Sequence, residues 1–340
     1  MKNSREYTEL KKTLGSNFKS PLQVNKLFEA DCEILKLGPK KYLTTSIDSI
    51  SEEIDLGLYR EIETWGWMTV MSSVSDLAAS GSTPLGLTIA AQWKYGTALE
   101  IQNLYYKALN LACKKANVPL LGGDTGNGVS HAFTSSIIGE STRAPLMRTN
   151  VQEGDLLVLA HQKKTGIGPA LAYRFLLNAD AEILPEKLFR PAPSWKLAAE
   201  IAPLARAAID TSDGVATSVF IFSELNHLGV DLFWDQKINH PQAQLAMNSL
   251  ALSPLFLWLG DHGDFQTLFV IPQKNIDKIP LSPNLSVIGK FKKKMKPNFR
   301  IQYNHQWVDL PIENITQCPR DLDSYSRLLK DTQKYLAAYK

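Results

Sequence analysis

The sequence predicts a mixed α and β chain divided near residue 150 into two domains. Three observations carry this. The chain has 340 residues, long for one typical domain and suited to two of ordinary size. Short β-rich or apolar runs alternate with longer stretches of helical periodicity. The second half loosely repeats the first as strand, acidic turn and helix.

The first domain spans 1–150. Lys41 to Ser49 is β-rich. Glu61 to Ser80 is helical: Trp65, Met68, Val70, Met71 and Leu77 recur at helical spacing, and Gly81 stands where a terminating glycine belongs. Thr83-Pro84 breaks the chain before an apolar strand, Leu85 to Gln92. Leu99 to Lys115 is a second helix. Val118 to Leu121 is a short buried strand running into Gly122-Gly123-Asp124, and His131 to Gly139 is another strand. The second domain, 151–315, opens on the Gly154-Asp155 turn and a buried strand, Leu156 to Ala160. Thr165 to Leu177 is a helix. Ala207 to Ile209 is a strand that stops at Asp210. Asp213 caps a helix from Val215 to Leu228, which Gly229 ends. Leu268 to Ile271 is one more strand. Residues 316–340 form a tail in which Asp321 to Tyr339 has amphipathic helical character.

Composition excludes several classes. Apolar residues make up 44% of the chain, enough for real cores, and 37 basic against 34 acidic residues leave a net charge of +3. That balance argues for neither a nucleic acid nor a membrane surface as partner. The basic run from Lys290 to Lys296 is expected as a solvated turn ahead of Pro297. Cys32, Cys113 and Cys318 are too far apart for a disulfide framework or a CxxC metal site. The charged start has no apolar core of a signal peptide, and no apolar run approaches the ~20 residues of a spanning helix. The expectation is a soluble, cytoplasmic protein with a small-molecule substrate.

Chemistry is concentrated in five acidic motifs: Ala30-Asp31-Cys32, Ser46-Ile47-Asp48, Ser75-Asp76-Leu77-Ala78-Ala79, Gly122-Gly123-Asp124-Thr125 and Ile209-Asp210-Thr211-Ser212-Asp213-Gly214. A single Asp at a strand–helix junction is an ordinary cap. Five of them beside turn-forming and hydroxyl residues suggest carboxylates gathered around hard cations and a polyphosphate, because Mg²⁺ is commonly held by a few carboxylates plus substrate phosphates. Other sites find no support. There is no Walker lysine motif, no GxGxxG and no GxSxG elbow, and the six histidines form no HxxxH pair.

Taken in order, these motifs resemble the thiamine-monophosphate kinase family of the aminoimidazole ribonucleotide synthase superfamily, from about Asp31 to Ile271. The family carries GDDxAxL, TD, NLSDLAAMGAxP, GGDTT, RxGAxxGD, IDxSDGL and GGEDYEL. This chain has Glu29 to Leu35, Ser46 to Asp48, Ser73 to Pro84, Gly122 to Thr125, Arg148 to Asp155, Asp210 to Gly214 and Gly263 to Gln266. The resemblance implies an α+β, two-domain aminoimidazole ribonucleotide synthase-like fold. Its N-terminal domain would build a shared barrel with a second subunit, its C-terminal domain would be an α/β layer, and ATP would lie between them. It implies Mg²⁺ held by Asp31, Ser46, Asp48, Asp76, Asp124, Asp210 and Asp213, with Asp48, Asp124 and Asp213 as catalytic carboxylates. Gly123, Asp124, Arg148 and Ser212 would contact ATP, and Asp55, Asp264 and Phe265 the phosphoryl acceptor. So many carboxylates share a small space only if cations neutralise them.

The departures fall unevenly. On the metal side, the first Asp of GDD is Ala30, the Thr of TD is Ile47 and the Asn before SD is Ser73. On the acceptor side, the family's His is Asp55, its Glu in GGEDY is Gly263, and its WxGYxHF signature has only Trp307 to Leu310 as a distant counterpart. Two enzymatic readings therefore stand: transfer from ATP to thiamine phosphate, or the same ATP and Mg²⁺ machinery serving a changed acceptor such as an amide. Asp55 in place of His favours a cationic or hydrogen-bond-donating acceptor. A third reading, a degenerate nucleotide-binding scaffold, gains from the loss of Asp at position 30. It is opposed by the retained Asp48, Asp76, Asp124, Asp210 and Asp213.

Overall fold

The structure, a computed structural model, describes residues 20–310 except 163, 194, 261, 295–297 and 304, together with 12, 13, 327, 330, 331, 333 and 334. The expected tail helix from Asp321 to Tyr339 falls largely outside the described residues.

The first sheet is built from β1 (Glu33–Gly38), β2 (Lys41–Ser49), β3 (Thr83–Lys94), β4 (Leu120–Gly128) and β5 (Ala132–Ser141) in the order β1-β2-β5-β3-β4. Its neighbours are antiparallel except β3 and β4, which run parallel. A parallel pair needs a long crossover, and α3 (Leu99–Ala116) supplies it. Two helices lie between β2 and β3: α1 (Ser51–Leu56), which periodicity alone did not indicate, and α2 (Ile62–Ser80). Gly81 ends α2 at φ +70° and Asn117 ends α3 at φ +53°, the left-handed conformation that releases a chain from a helix.

The second sheet takes β6 (Leu156–Ala160), β7 (Ala207–Asp210), β8 (Leu228–Phe233), β9 (Thr267–Ile271), β10 (Leu285–Lys293), β11 (Phe299–Tyr303) and β12 (Gln306–Asp309) in the order β12-β11-β8-β10-β6-β9-β7. The helices around it are α4 (Ile167–Leu176), α5 (Trp195–Ile201), α6 (Gly214–Asn226), α7 (Pro241–Ser249) and α8 (Phe256–Leu259). Among the described residues, no helix is long and apolar enough to cross a membrane.

Three expectations are corrected. Val118 to Leu121 is not a short buried strand ahead of a turn. β4 starts at Leu120, continues through Gly122, Gly123 and Asp124, and is exposed almost throughout, because it is an edge strand paired only to β3. The helix after Asp213 ends at Asn226, since His227 adopts φ +55° and Gly229 already belongs to β8. The basic run is not a turn over its first four residues: Lys290 to Lys293 complete β10, with Phe291 buried and the lysines between.

Helix α2 holds the molecule together. A surface helix shows one apolar stripe, but α2 is buried on every side, from Gly66 to Ser75 and from Leu77 to Ser80. It packs on α3, on β2 and β5 of the first sheet, and on β7 and β9 of the second. Several of its buried hydroxyls find partners, among them Ser73 with Ser135 at 2.7 Å and Thr69 with the Trp65 carbonyl at 2.8 Å, whereas the Ser72 hydroxyl has none among the described residues. Further bonds join the two halves. Trp67 Nε1 donates to the Pro191 carbonyl at 2.7 Å, and the Arg60 and Glu61 N–H groups donate to the buried Glu186 carboxylate.

The α2–α3 contact is close because of Gly66. A Cβ there would run into the Tyr105 carbonyl oxygen and lie 2.9 Å from the Leu109 nitrogen, both fixed backbone atoms. Gly66→Ala should therefore destabilise the protein by about 2 kcal/mol or more, read from its denaturant midpoint. A midpoint equal to that of the parent would show that the helices separate without cost.

Candidate active site

Four elements deliver carboxylates to one seam. Asp31 precedes β1, Ser46 and Asp48 are two residues apart on β2 and so share a face, Asp76 is in the last turn of α2, and Asp210 ends β7. Asp31, Asp76 and Asp210 each present an oxygen within 4.8 Å of the others. Hydroxyls fix their orientation. Ser46 donates to Asp76, Ser75 to Asp210 at 2.7 Å, and Ser212 to the other Asp210 oxygen at 2.9 Å. Arg148 sends Nε and Nη2 to one oxygen of Asp31, and both side chains are enclosed.

The electrostatics follow from burial and crowding. Burial, then the charge of Asp31, pushes the Asp210 carboxyl up to about 7. Burial pushes Asp76 well above the usual carboxylate range, and Asp210, Asp31 and Asp48 add to it. Asp31 is raised by burial despite the opposing pull of Arg148. Burial alone would lower Arg148, but the Asp31 charge outweighs it and the guanidinium is held more firmly protonated. The buried Cys32 thiol beside them is pushed up by burial and by the carboxylates, so it stays a neutral space-filler. Three enclosed carboxylates with the charge of Arg148 against them are short of positive charge. Their all-oxygen donor set suits a hard divalent cation such as Mg²⁺, which would supply it.

The remaining expected residues stand at varied distances from this centre. Asp48 acts on Asp76 through its charge and accepts from the Ser49 N–H at 2.8 Å. Asp213 occupies the N-cap position of α6 without a side-chain cap hydrogen bond. Gly123 and Asp124 lie on the exposed edge strand β4, outside the three-carboxylate group. Asp55 is exposed on α1, and its charge acts on His131. Asp264 is buried and accepts from Thr165 Oγ1 at 2.7 Å, from the Gly168 N–H at 2.7 Å and from the Gly166 N–H, so it ties down the start of α4. Phe265 is buried at φ +54°, with its ring 6.2 Å from His262 and 6.3 Å from Phe189.

Two groups escaped the sequence reading. Ser75 sat inside a quoted motif, and its place beside Asp76 was the available signal. The cluster of Tyr59, Phe189 and His262, with Tyr59 Oη 3.4 Å from His262 Nε2, joins residues from distant parts of the chain and left no local signal.

The comparisons fit this geometry. Residues 29–140 match the AIR synthase related protein, N-terminal domain. Over these residues the chain is similar to that family. It is 28% identical over 296 residues to the thiamine-monophosphate kinase of Buchnera aphidicola subsp. Acyrthosiphon pisum (strain APS), covering 81% of this chain and 87% of that one. It is also 25% identical over 264 residues to a putative hydrogenase expression/formation protein of Methanocaldococcus jannaschii, covering 73% and 76%. The fold matches a structure described as AaThiL complexed with AMPPCP and TMP, with a TM-score of 0.72 at 18% identity over 90% of this chain and 94% of that one.

The raised Asp210 carboxyl predicts a pH signature. In metal-free buffer the folded chain holds a proton that the unfolded chain releases near the ordinary value of 3.8, so this stabilisation is complete below that pH and lost as pH rises to about 7. Asp210→Asn has no such proton. Its stability relative to the parent should rise between pH ~4 and ~7 and then level off, as read from denaturant midpoints. A pH-independent difference would place Asp210 in ordinary solvent.

Proposed function

We propose that this chain is an ATP-dependent, Mg²⁺-requiring kinase that transfers the γ-phosphoryl group of ATP to thiamine phosphate, giving thiamine diphosphate and ADP. The observation that carries the reading is the convergence of Asp31, Asp76 and Asp210, from three separate elements, in a chain whose relatives are named thiamine-monophosphate kinases. Asp31, Asp76 and Asp210 would hold Mg²⁺, with Asp48, Ser46, Asp124 and Asp213 reaching it once the triphosphate is bound. The metal's contribution is to screen the phosphate oxygens. The chain's own residues supply position. Ser75 and Ser212 fix both oxygens of Asp210, and Ser46 fixes Asp76, so the carboxylates are aimed before substrate arrives. Gly123 and Ser212 would lie against the nucleotide, and Asp55 and Phe265 at the acceptor. An anionic phosphate oxygen is already a nucleophile, so alignment rather than a general base is what the chain must provide.

A changed acceptor is the second reading, and a specific observation favours it. The position of the family's Glu is Gly263, whose Cβ would collide with the Thr211 carbonyl oxygen. No side chain fits there on this backbone. The likeness to a hydrogenase formation protein points the same way.

Calorimetric titration with thiamine monophosphate, in Mg²⁺ and a non-hydrolysable ATP analogue, decides between the two. Micromolar binding supports the first reading; analogue binding without thiamine phosphate binding supports the second. Under either, Asp76→Asn should lower Mg²⁺-dependent ATP turnover by at least ~10²-fold with its circular dichroism unchanged. Wild-type turnover in that variant would remove the carboxylate cluster from the mechanism.

The working form is proposed to be a homodimer in the cytoplasm, in which the first sheets of two subunits form a shared barrel. Supporting this, β4 has an unpaired edge among the described residues, and Leu85, Leu120, Leu121 and Ile47 are exposed on this sheet. Leu121→Lys should shift the protein to monomer in sedimentation. An undisturbed dimer would place the interface elsewhere, and a monomeric parent would dismiss it.

A further inference from the structure

Arg148 enters the carboxylate cluster from the segment between β5 and β6, and its main chain is held on both sides. Its N–H donates to the Glu29 carbonyl at 2.7 Å, and its carbonyl accepts from Asn226 Nδ2 at 2.9 Å. The guanidinium is therefore delivered to a fixed place. Its Nε, at 3.2 Å, and its Nη2 both donate to Oδ1 of Asp31, with the two side chains only 14% and 2% exposed. Its Nη1 faces the carbonyl of Phe28 at 3.5 Å, and Phe28 is held at φ +65°, a left-handed conformation that a bulky aromatic rarely takes. The neighbouring Ala30 offers no carboxylate to share the load.

A divalent cation on Asp31 would sit beside this guanidinium and be repelled by it. Arginine cannot relieve that repulsion by losing its proton, as a lysine or histidine could. A phosphate chain, however, offers a planar fork a better bidentate partner than a single carboxylate oxygen.

We propose that Arg148 is a resident cation that holds Asp31 against divalent metal, so that the free site loads its first ion on Asp76 and Asp210 and opens Asp31 only when a phosphate chain draws the guanidinium away. Metal loading is then coupled to nucleotide binding through one side chain. The inference rests on the metal-site reading above. It differs from a purely structural role for the Arg148–Asp31 pair in the sign of its consequences. A structural pair, once broken, loosens the site and weakens metal binding; a resident competitor, once removed, strengthens it.

The test uses the full chain and Mn²⁺ as the probe, with free Mn²⁺ read by electron paramagnetic resonance at pH 8. Without nucleotide, Arg148→Gln should bind its first Mn²⁺ about tenfold more tightly than the parent. Asp31→Asn, which leaves the guanidinium charge unneutralised, should weaken it by no more than about tenfold, whereas Asp76→Asn should weaken it by about a hundredfold. Arg148→Gln binding as the parent does, or more weakly, overturns the proposal, as does an Asp31→Asn loss equal to that of Asp76→Asn. If Arg148→Gln does not fold, the two aspartate variants decide by themselves. Absence of Mn²⁺ binding by the parent, with and without a non-hydrolysable ATP analogue, would instead overturn the metal-site reading and this inference with it.

Discussion

Crowding of like charge at a buried seam is the constraint on which the rest of the structure depends. Asp31, Asp76 and Asp210 come within 4.8 Å of one another between two sheets. In water such a group would separate. Here each member is fixed by an element that cannot move alone: Asp76 by a helix buried on every side, Asp210 by the end of a sheet strand, and Asp31 by its bond to Arg148. The repulsion cannot be relieved by motion, so it appears as raised pKa values. A site of this kind is preorganised for cations because the cost of assembling it has already been met by folding.

That cost is carried by α2. Its sequence mixes large apolar residues with Thr69, Ser72, Ser73 and Ser75, which on an ordinary amphipathic helix would face solvent. Here they face other protein. Ser75 is the clearest case, since its hydroxyl lies 2.8 Å from the Ser72 carbonyl and 2.7 Å from Asp210 across the seam and shares its one proton between them. The helix that forms the core of the first half thus also supplies a hydrogen bond that orients a carboxylate of the second. Displacing α2 would change core packing and site geometry together, which is why Gly66, outside the three-carboxylate group, belongs to the same mechanical unit.

Legibility in the sequence followed the range of the forces involved. α2, α3 and β6 were readable because their signals are local: helical spacing with Gly81 as a left-handed terminator for α2, helical spacing for α3 and an apolar run after a Gly-Asp turn for β6. β4 was misread because Leu120-Leu121 looks like a core run, and only tertiary position makes it an exposed edge. The α6 terminus was placed too late because glycine is the expected terminator, yet His227 adopts the left-handed conformation first. Within the site, the acidic motifs were visible as residues, but not which of them would meet. Asp31, Asp76 and Asp210 converge, while Asp124, in an equally suggestive Gly-Gly-Asp setting, lies outside their group on the sheet edge. Spacing in sequence cannot encode that difference, because long-range packing sets it.

The acceptor side obeys a different logic from the metal side. On the metal side, function comes from side chains that the backbone merely positions. Around Gly263, the backbone itself is the wall. The Gly263 N–H donates to the Ser212 carbonyl at 2.7 Å, and the Gly168 backbone packs so closely on the Gly263 carbonyl that a side chain is excluded at either glycine. Asp264, the next residue, is spent on three donors at the start of α4. Under the proposed function this segment would offer an acceptor the half-buried His262 and the aromatic residues packed about it, rather than a carboxylate. Two consecutive positions are closed to new side-chain chemistry by packing, so under the proposed function acceptor choice would be set by other residues, such as Asp55 on α1 and Tyr59, which reaches His262. Those residues belong to the first half of the chain and the glycine wall to the second. Specificity would then depend on the same register between the halves that assembles the carboxylates, and a change in that register would alter metal loading and acceptor choice together.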